Sequence, residues 1–196
     1  MTSALGSRLV AALAPLTVCL GLTLAGCQSL PEPPGRNVQE LYHGTLQEAR
    51  PMDVVVAPII DLSIDGRVPE MELRQAFQRN LIKRRYSALA LPYTDRGVVN
   101  ASYKPGARDE DAILQVTIRE WDLSRWDSNS EVSVKVEAWM ISSADDVELW
   151  GGLLERTFYL ERQVQNRATQ KGVMKDTAEE IARELLEVMP PRTPQP

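Results

Sequence analysis

Cysteine and histidine are scarce in this chain of 196 residues, and no G-x-S-x-G turn occurs in it. The sequence has two cysteines, Cys19 and Cys27, and a single histidine, His43. A zinc site would have to be completed by carboxylates, which is uncommon. A serine hydrolase would have to use His43 as its base. We therefore expect no metal, no cofactor and no enzymatic activity.

An excess of positive charge is also lacking. The chain carries 22 Lys and Arg against 27 Asp and Glu, which gives a net charge of −5 at pH 7. A nucleic-acid-binding domain would be expected to present a basic face. We therefore expect no nucleic acid among the partners.

No apolar run reaches the roughly 20 residues that a bilayer-spanning helix needs. The run from Leu9 to Leu24 holds no charged residue but is interrupted by Pro15 and Gly21, and Arg8 precedes it. A cationic start, an apolar centre and an exit through small residues are typical of a secretory signal peptide. An ordinary signal peptide or a membrane anchor are the alternatives for residues 1–26.

The end of this run, Leu24-Ala25-Gly26-Cys27, resembles the lipobox of bacterial lipoproteins. In that family the cysteine thiol receives a diacylglycerol, the preceding peptide is removed, and the new amino group is acylated, for instance with palmitate. The resemblance implies cleavage between Gly26 and Cys27 and lipid attachment at Cys27. The mature chain would then have no free thiol and no disulfide.

The residue that follows Cys27 indicates in which membrane a lipoprotein of this kind is held. In Gram-negative lipoproteins an aspartate at the next position usually retains the protein in the inner membrane, whereas this chain has Gln28. The resemblance therefore implies the outer membrane, with the protein facing the periplasm and held there by its N-terminal lipid. Residues 27–37, rich in proline and polar groups, predict a flexible tether.

Residues 38–189 predict one periplasmic domain, followed by a disordered tail over 190–196. The pattern predicts strands over 53–60, 87–91, 111–121, 131–141 and 147–160, and helices over 70–86, 94–100 and 168–189. Residues 38–52 fit either an edge strand or a short helix. The fold class is α+β (α/β-like). We expect a single mixed sheet of about five strands, with an early strand–helix–strand unit, an antiparallel meander and a C-terminal amphipathic helix.

Two details of this pattern are informative. The last helix has an apolar stripe with steps of four and three residues, formed by Met174, Ala178, Ile181, Leu185 and Val188. This stripe favours packing on the sheet, with a partner-binding helix as the alternative. Gly151 and Gly152 inside the last strand predict a β-bulge.

Three tryptophans are candidates for a partner-binding surface. Trp126 falls in the polar hairpin loop 123–130, and Trp139 alternates away from the predicted core face of its strand. Trp121 ends the preceding strand. Exposed tryptophans are enriched in interface hot spots, but these three could instead cover each other or pack against a helix. Separately, Lys83-Arg84-Arg85 fits the carbonyl end of a helix, with contact to an anionic lipid or glycan as the alternative.

The segments 54–60, 111–121 and 132–150 resemble periplasmic lipoproteins whose domain is like the amino-terminal domain of TolB. These include the LpoB-type activators of peptidoglycan synthases, the curli secretion lipoprotein CsgG, and, most similar, a neisserial-type family of outer-membrane lipoproteins. The resemblance implies a non-enzymatic accessory protein that docks on a cell-envelope assembly. It also allows a homo-oligomer, since related folds form rings.

The alternative function is an accessory lipoprotein of a lipid-transport system that binds lipid or passes it on. That function would need an apolar groove, for which the space beneath the last helix is the best candidate. A filled core at that place would favour docking instead.

Overall fold

In this computed structural model, residues 37–64, 67–99, 102–159 and 170–193 are described. The strands are β1 (Val38–Tyr42), β2 (Asp53–Val56), β3 (Ile60–Asp61), β4 (Ser87–Ala88), β5 (Val98–Val99), β6 (Ser102–Tyr103), β7 (Ala112–Asp122), β8 (Glu131–Ser142) and β9 (Glu148–Tyr159). The helices are α1 (Leu46–Ala49), α2 (Glu70–Lys83), α3 (Leu91–Thr94), α4 (Trp126–Asn129) and α5 (Gln170–Val188). Gly26 and Cys27 lie outside the described residues.

The main sheet is mixed, with the strand order β1-β9-β8-β7-β2-β4. The long strands β7, β8 and β9 form an antiparallel meander, while β2 lies parallel to both β7 and β4. The predicted α+β class, the strand–helix–strand unit and the meander are confirmed. The sheet has seven strands rather than about five, because both β1 and β3 join it.

The predicted strand over 53–60 is divided in two. β2 ends at Val56, and β3 resumes the pairing with β7 at Ile60. Pro58 lies between them and has no N–H with which to continue the ladder. The ambiguous segment 38–52 contains both of its alternatives, the edge strand β1 and the short helix α1.

The predicted helix over 94–100 is wrong. The helical turns lie earlier, as α3 over Leu91–Thr94 and a 3₁₀ turn over Asp95–Gly97. Pro92 occupies the first turn of α3, where a missing N–H costs nothing. This shift also shortens the predicted strand over 87–91 to Ser87–Ala88.

One face of the sheet is packed against α2 and α5. The inward side chains of the meander are fully or almost fully buried and include Leu114, Ile118, Val132, Val136, Met140, Trp150 and Leu154. On α5, four members of the predicted stripe are buried and Val188 is half-buried. The last helix therefore packs on the sheet, as the stripe predicts.

The predicted bulge at Gly151 and Gly152 is displaced. Both glycines pair regularly with β8, opposite Trp139 and Ala138. The irregularities lie beside them, one in β9 before Trp150 and one in the neighbouring edge strand β1. Gly151 instead leaves room for a side chain that lies close to its backbone.

Candidate docking surface

The face of the meander that points away from α2 and α5 carries side chains that the core does not bury. In β8 the burial alternates strictly, with every even position from 132 to 140 buried and the odd positions half-buried. We define the open face as the half-buried or exposed side chains on this side of β7, β8 and β9. It includes Gln115, Arg119, Glu120, Asp122, Glu131, Ser133, Lys135, Glu137, Trp139, Leu153, Glu155, Thr157 and Tyr159.

Trp139 lies towards one end of the open face, level with Gln115 of β7 and directly over Gly151 of β9. A Cβ atom at Gly151 would lie 2.3 Å from Cζ3 and 2.4 Å from Cε3 of the Trp139 ring. The indole therefore rests on the glycine backbone in a space that alanine would fill, and the side chain remains half-buried. This places Trp139 where the sequence predicts it, away from the core.

Two cross-strand ion pairs lie on the open face, both on the side of the indole toward the start of β8. Arg119 contacts Glu137 at 2.8 Å, and Lys135 contacts Glu155 at 2.8 Å. Hydrogen bonding to these carboxylates raises the pKa of Arg119 and of Lys135. Each pair is formally neutral, and Glu120 beside Lys135 adds negative charge, so the open face combines one aromatic side chain with paired and acidic groups.

Trp121 does not belong to this surface. Its side chain is 1 % exposed and lies in the core, and the physical reason is a bulge in β7. The register of β7 with β8 shifts between Ile118 and Glu120, so that Trp121 pairs with the inward-facing Val134. The extra residue reverses the alternation and turns the indole from the open face to the core. An exposed role for Trp121 is therefore corrected to a core role.

Trp126 occupies an intermediate position. It begins the helical turn α4 in the hairpin between β7 and β8, and its half-buried side chain packs against the core. Ser130 closes this turn with a positive φ of 59°. The hairpin therefore exposes mainly its polar side chains, such as Arg125, which contacts Glu131 at 3.4 Å.

An apolar ridge at the edge of the sheet escaped the sequence analysis. Ile60, Leu62 and Ile64 are 43, 54 and 105 % exposed. Ile60 lies opposite Thr117 of β7, and a cleft of about 660 Å³ beyond it is lined by Ile64 and β7 residues 119–122. The strand predicted over 53–60 includes Ile60 alone, and the spacing of two residues that continues through Leu62 and Ile64 is the signal that extends the ridge beyond it.

Glu110 has a carboxylate that accepts several hydrogen bonds. It accepts hydrogen bonds from Tyr103 Oη at 2.9 Å, Gly106 N at 2.7 Å and Arg108 N at 2.9 Å. Burial alone would raise the pKa of Glu110, but these hydrogen bonds outweigh it and lower the pKa. The group is committed to holding the loop before β7 and has no free oxygen for acid–base work.

His43 is exposed, and its Nδ1 lies 2.8 Å from a carboxylate oxygen of Glu40. Within the described ranges, no group of three or more His, Cys, Asp or Glu side chains is placed to hold a metal ion. No described helix combines the length and apolar character required to cross a membrane. The absence of enzymatic activity stays a prediction.

No protein-family model matches the chain, and no curated protein matches it. Among solved structures, a PelC dodecamer from Paraburkholderia phytofirmans has 13 % sequence identity and a TM-score of 0.53, with 81 % of this chain and 98 % of that chain covered. The chain shares the fold of PelC. A second PelC dodecamer structure from the same organism has 14 % identity, a TM-score of 0.51, and coverage of 76 % and 95 %.

The lipoprotein GNA1162 from Neisseria meningitidis is also similar, with 17 % identity and a TM-score of 0.46. The alignment covers 70 % of this chain and 99 % of that chain. At these identities the likeness concerns the fold alone, and fold does not fix function.

Proposed function

We propose that this protein is a non-enzymatic, lipid-anchored accessory protein of the Gram-negative outer membrane that faces the periplasm. In this proposal the lipid on Cys27 holds the chain at the membrane, and the folded domain docks on a cell-envelope assembly. The lipobox match of residues 24–27 supports the anchor.

The observation that carries the docking proposal is Trp139 on the open face. Tryptophan is enriched at interface hot spots, and charged groups beside it are typical of the polar rim of an interface. A role limited to stability would be served better by burying the ring, as the chain does with Trp121 and Trp150. We therefore assign the open face as the docking surface.

The known PelC structures are dodecamers. By analogy, we include a homo-oligomer in the proposal, with head-to-tail contacts that close a ring. The exposed ridge of Ile60, Leu62 and Ile64 supports such a contact, because exposed sheet edges with apolar side chains tend to pair with another chain.

The lipid-transport alternative requires an apolar groove beneath α5. Among the described residues of α5, the side chains that face the sheet are buried in the core. Ala178, Ile181, Ala182, Leu185 and Leu186 are each 0 % exposed. These described positions favour the docking proposal over the lipid-transport alternative.

In-cell photocrosslinking tests the docking proposal. A photoreactive residue at Leu153, beside Glu137 and one strand from Trp139, should capture one envelope protein repeatedly, as identified by mass spectrometry. The matched control is a photoreactive residue at the exposed Lys175 of α5, on the opposite side of the sheet, which should not capture that protein. Capture of the same protein from both positions, or of none from position 153, would contradict docking through the open face.

A further inference from the structure

Three segments meet at one end of the domain and enclose a small cavity. The tail after α5 crosses the end of α2, where the Tyr86 hydroxyl donates to the carbonyl of Pro190 at 2.9 Å. The amide of Arg192 donates to the carbonyl of Arg84 at 3.1 Å, and Arg84 Nη2 donates to the carbonyl of Met189. The cavity has a volume of about 210 Å³. It is lined by Leu46, Gln47, Arg50, Tyr86, Pro190, Pro191, Arg192 and Thr193.

Positive charge gathers at this cavity, and the carboxylate of Glu187, which counteracts the effect of burial on the pKa of Arg84, offsets part of it from beyond contact distance. Arg50 and Arg192 line the cavity, and Arg84 and Arg85 adjoin Tyr86 in sequence. Within the described residues, none of these four guanidinium groups has a carboxylate within 4 Å, and Arg50 Nε donates only to the carbonyl of Gln47. The carbonyl ends of α2 and α5 offset only part of this charge.

Most of the described arginines away from the cavity contact a carboxylate. They are Arg74, Arg79, Arg119, Arg125, Arg156 and Arg183. Arg96 and Arg108 show that a carboxylate is not general even there, because Arg108 Nε donates to the carbonyl of Tyr93 instead. The cavity is distinguished by having two such arginines, Arg50 and Arg192, in one lining.

Two buried donors in this cluster are unsatisfied. Nε of Arg192 and Nε of Arg84 are buried and have no hydrogen-bond partner among the described residues. Burial lowers the pKa of Arg84 and raises the pKa of Tyr86 to about 12, while the charges of Arg84 and Arg192 counteract the rise. Both guanidinium groups thus lie close to the Tyr86 phenol. Buried donors of this kind ordinarily find an acceptor.

We propose that this cavity binds a small organic anion, with a carboxylate or phosphate group attached to a compact apolar body. The anionic group accepts hydrogen bonds from Arg192 and Arg50, because guanidinium forks match the geometry of both anions. The apolar body lies against Leu46, Tyr86 and Pro190. Because a water-sized group occupies roughly 30 Å³, the cavity has room for about seven such groups. This site shares no residue with the open face and does not depend on the docking proposal.

Nuclear magnetic resonance of the arginine Nε–Hε groups tests this site directly. The sample is the mature chain, residues 27–196, with Cys27→Ala in place of the lipid. Sodium butyrate and inorganic phosphate are titrated separately at constant ionic strength, and sodium chloride alone is the reference. We expect a saturable shift of the Arg192 Nε–Hε signal with butyrate or phosphate. A signal that moves equally in chloride, or does not move, would overturn the proposal.

Substitutions distinguish a built site from general attraction of anions. Arg192→Gln should weaken binding about tenfold or more, because a charged hydrogen bond is lost. Arg50→Gln, at an exposed position, should also weaken binding and serves as the second variant if Arg192→Gln disturbs the tail. Arg125→Gln removes a charge elsewhere and should leave the affinity within about twofold. Equal weakening by all three variants would mean that binding depends only on the overall charge of the protein, and it would overturn the proposal.

Discussion

Whether Gly151→Ala lowers or raises the free energy of unfolding should depend on the presence of the Trp139 ring. A Cβ atom at Gly151 would come within 2.3 Å of the indole, far inside the 3.5–4.0 Å at which carbon atoms attract each other. Gly151→Ala must therefore displace the ring of Trp139 or bend β9. Overpacking of this kind typically costs about 1–3 kcal/mol.

The same substitution should have the opposite effect once the ring is gone. Glycine inside a strand is less favourable than alanine by roughly 0.5–1 kcal/mol, because its backbone loses more freedom on folding. In the Trp139→Ala background, Gly151→Ala should therefore raise the free energy of unfolding by about that amount. The coupling energy between the two sites is then about 2 kcal/mol, which is within the range of contacting residues.

Urea unfolding of the four members of this double-mutant cycle measures the coupling. Far-ultraviolet circular dichroism is the preferred signal, because tryptophan emission changes when Trp139 is removed. In the wild-type background, emission should also shift to longer wavelength in Gly151→Ala as the ring moves into water. If Gly151→Ala changes stability equally with and without Trp139, the ring does not rest on Gly151 and the reasoning fails.

Three further predictions concern charge, core and anchor. Glu179→Gln should destabilise the domain by about 1–2 kcal/mol at pH 7, since Glu179 is 32 % exposed and solvent screens its ion pairs. Burial would raise the pKa of Glu179, but hydrogen bonds from Lys83, Arg79 and Asn80 lower it to about 2. The loss of stability in Glu179→Gln should therefore be complete above the unfolded pKa of about 4.3, and it should vanish as the pH falls through 2. The control Glu187→Gln, at an exposed position, should change the free energy of urea unfolding little at either pH. Trp121→Ala should cost about 3–5 kcal/mol by the same measurement, and a loss below about 1 kcal/mol would contradict its place in the core. Cys27→Ala should release the protein from membranes in fractionation; the mass must confirm that the signal was removed, and a processed variant that stays on the membrane would contradict the anchor.

Regular alternation is what the sequence predicts best here. The inward positions of β7 and β8 follow a period of two, and side chains on opposite faces of a strand differ in polarity. Val132, Val136 and Met140 are buried as this period requires. The stripe on α5 follows the helical period in the same way. Local patterns are sufficient where the elements are long and regular.

The errors arise where a local pattern is broken by something distant. Alternation continued through Arg119 would put Trp121 on the open face, but β7 gains one extra residue against β8 at that point. A bulge has no fixed residue type, so only the pairing with the partner strand reveals it. Arg74, a charged residue of α2, is buried because its side chain donates to the carbonyl of Val56 and to the carboxylate of Asp95. Those partners come from other elements, which a helical period cannot show.

The bulge in β7 also decides what kind of surface the open face is. Without the extra residue, the indole of Trp121 would project from the same side of the sheet as Trp139 and enlarge an exposed apolar patch, which in soluble proteins invites nonspecific association. With it, the open face presents one indole, which lies on Gly151 with two neutral ion pairs on one side of it. The cavity near Arg192 has the opposite character, with positive charge in a small volume. This difference is the reason for proposing a partner protein for the first surface and a small anion for the second.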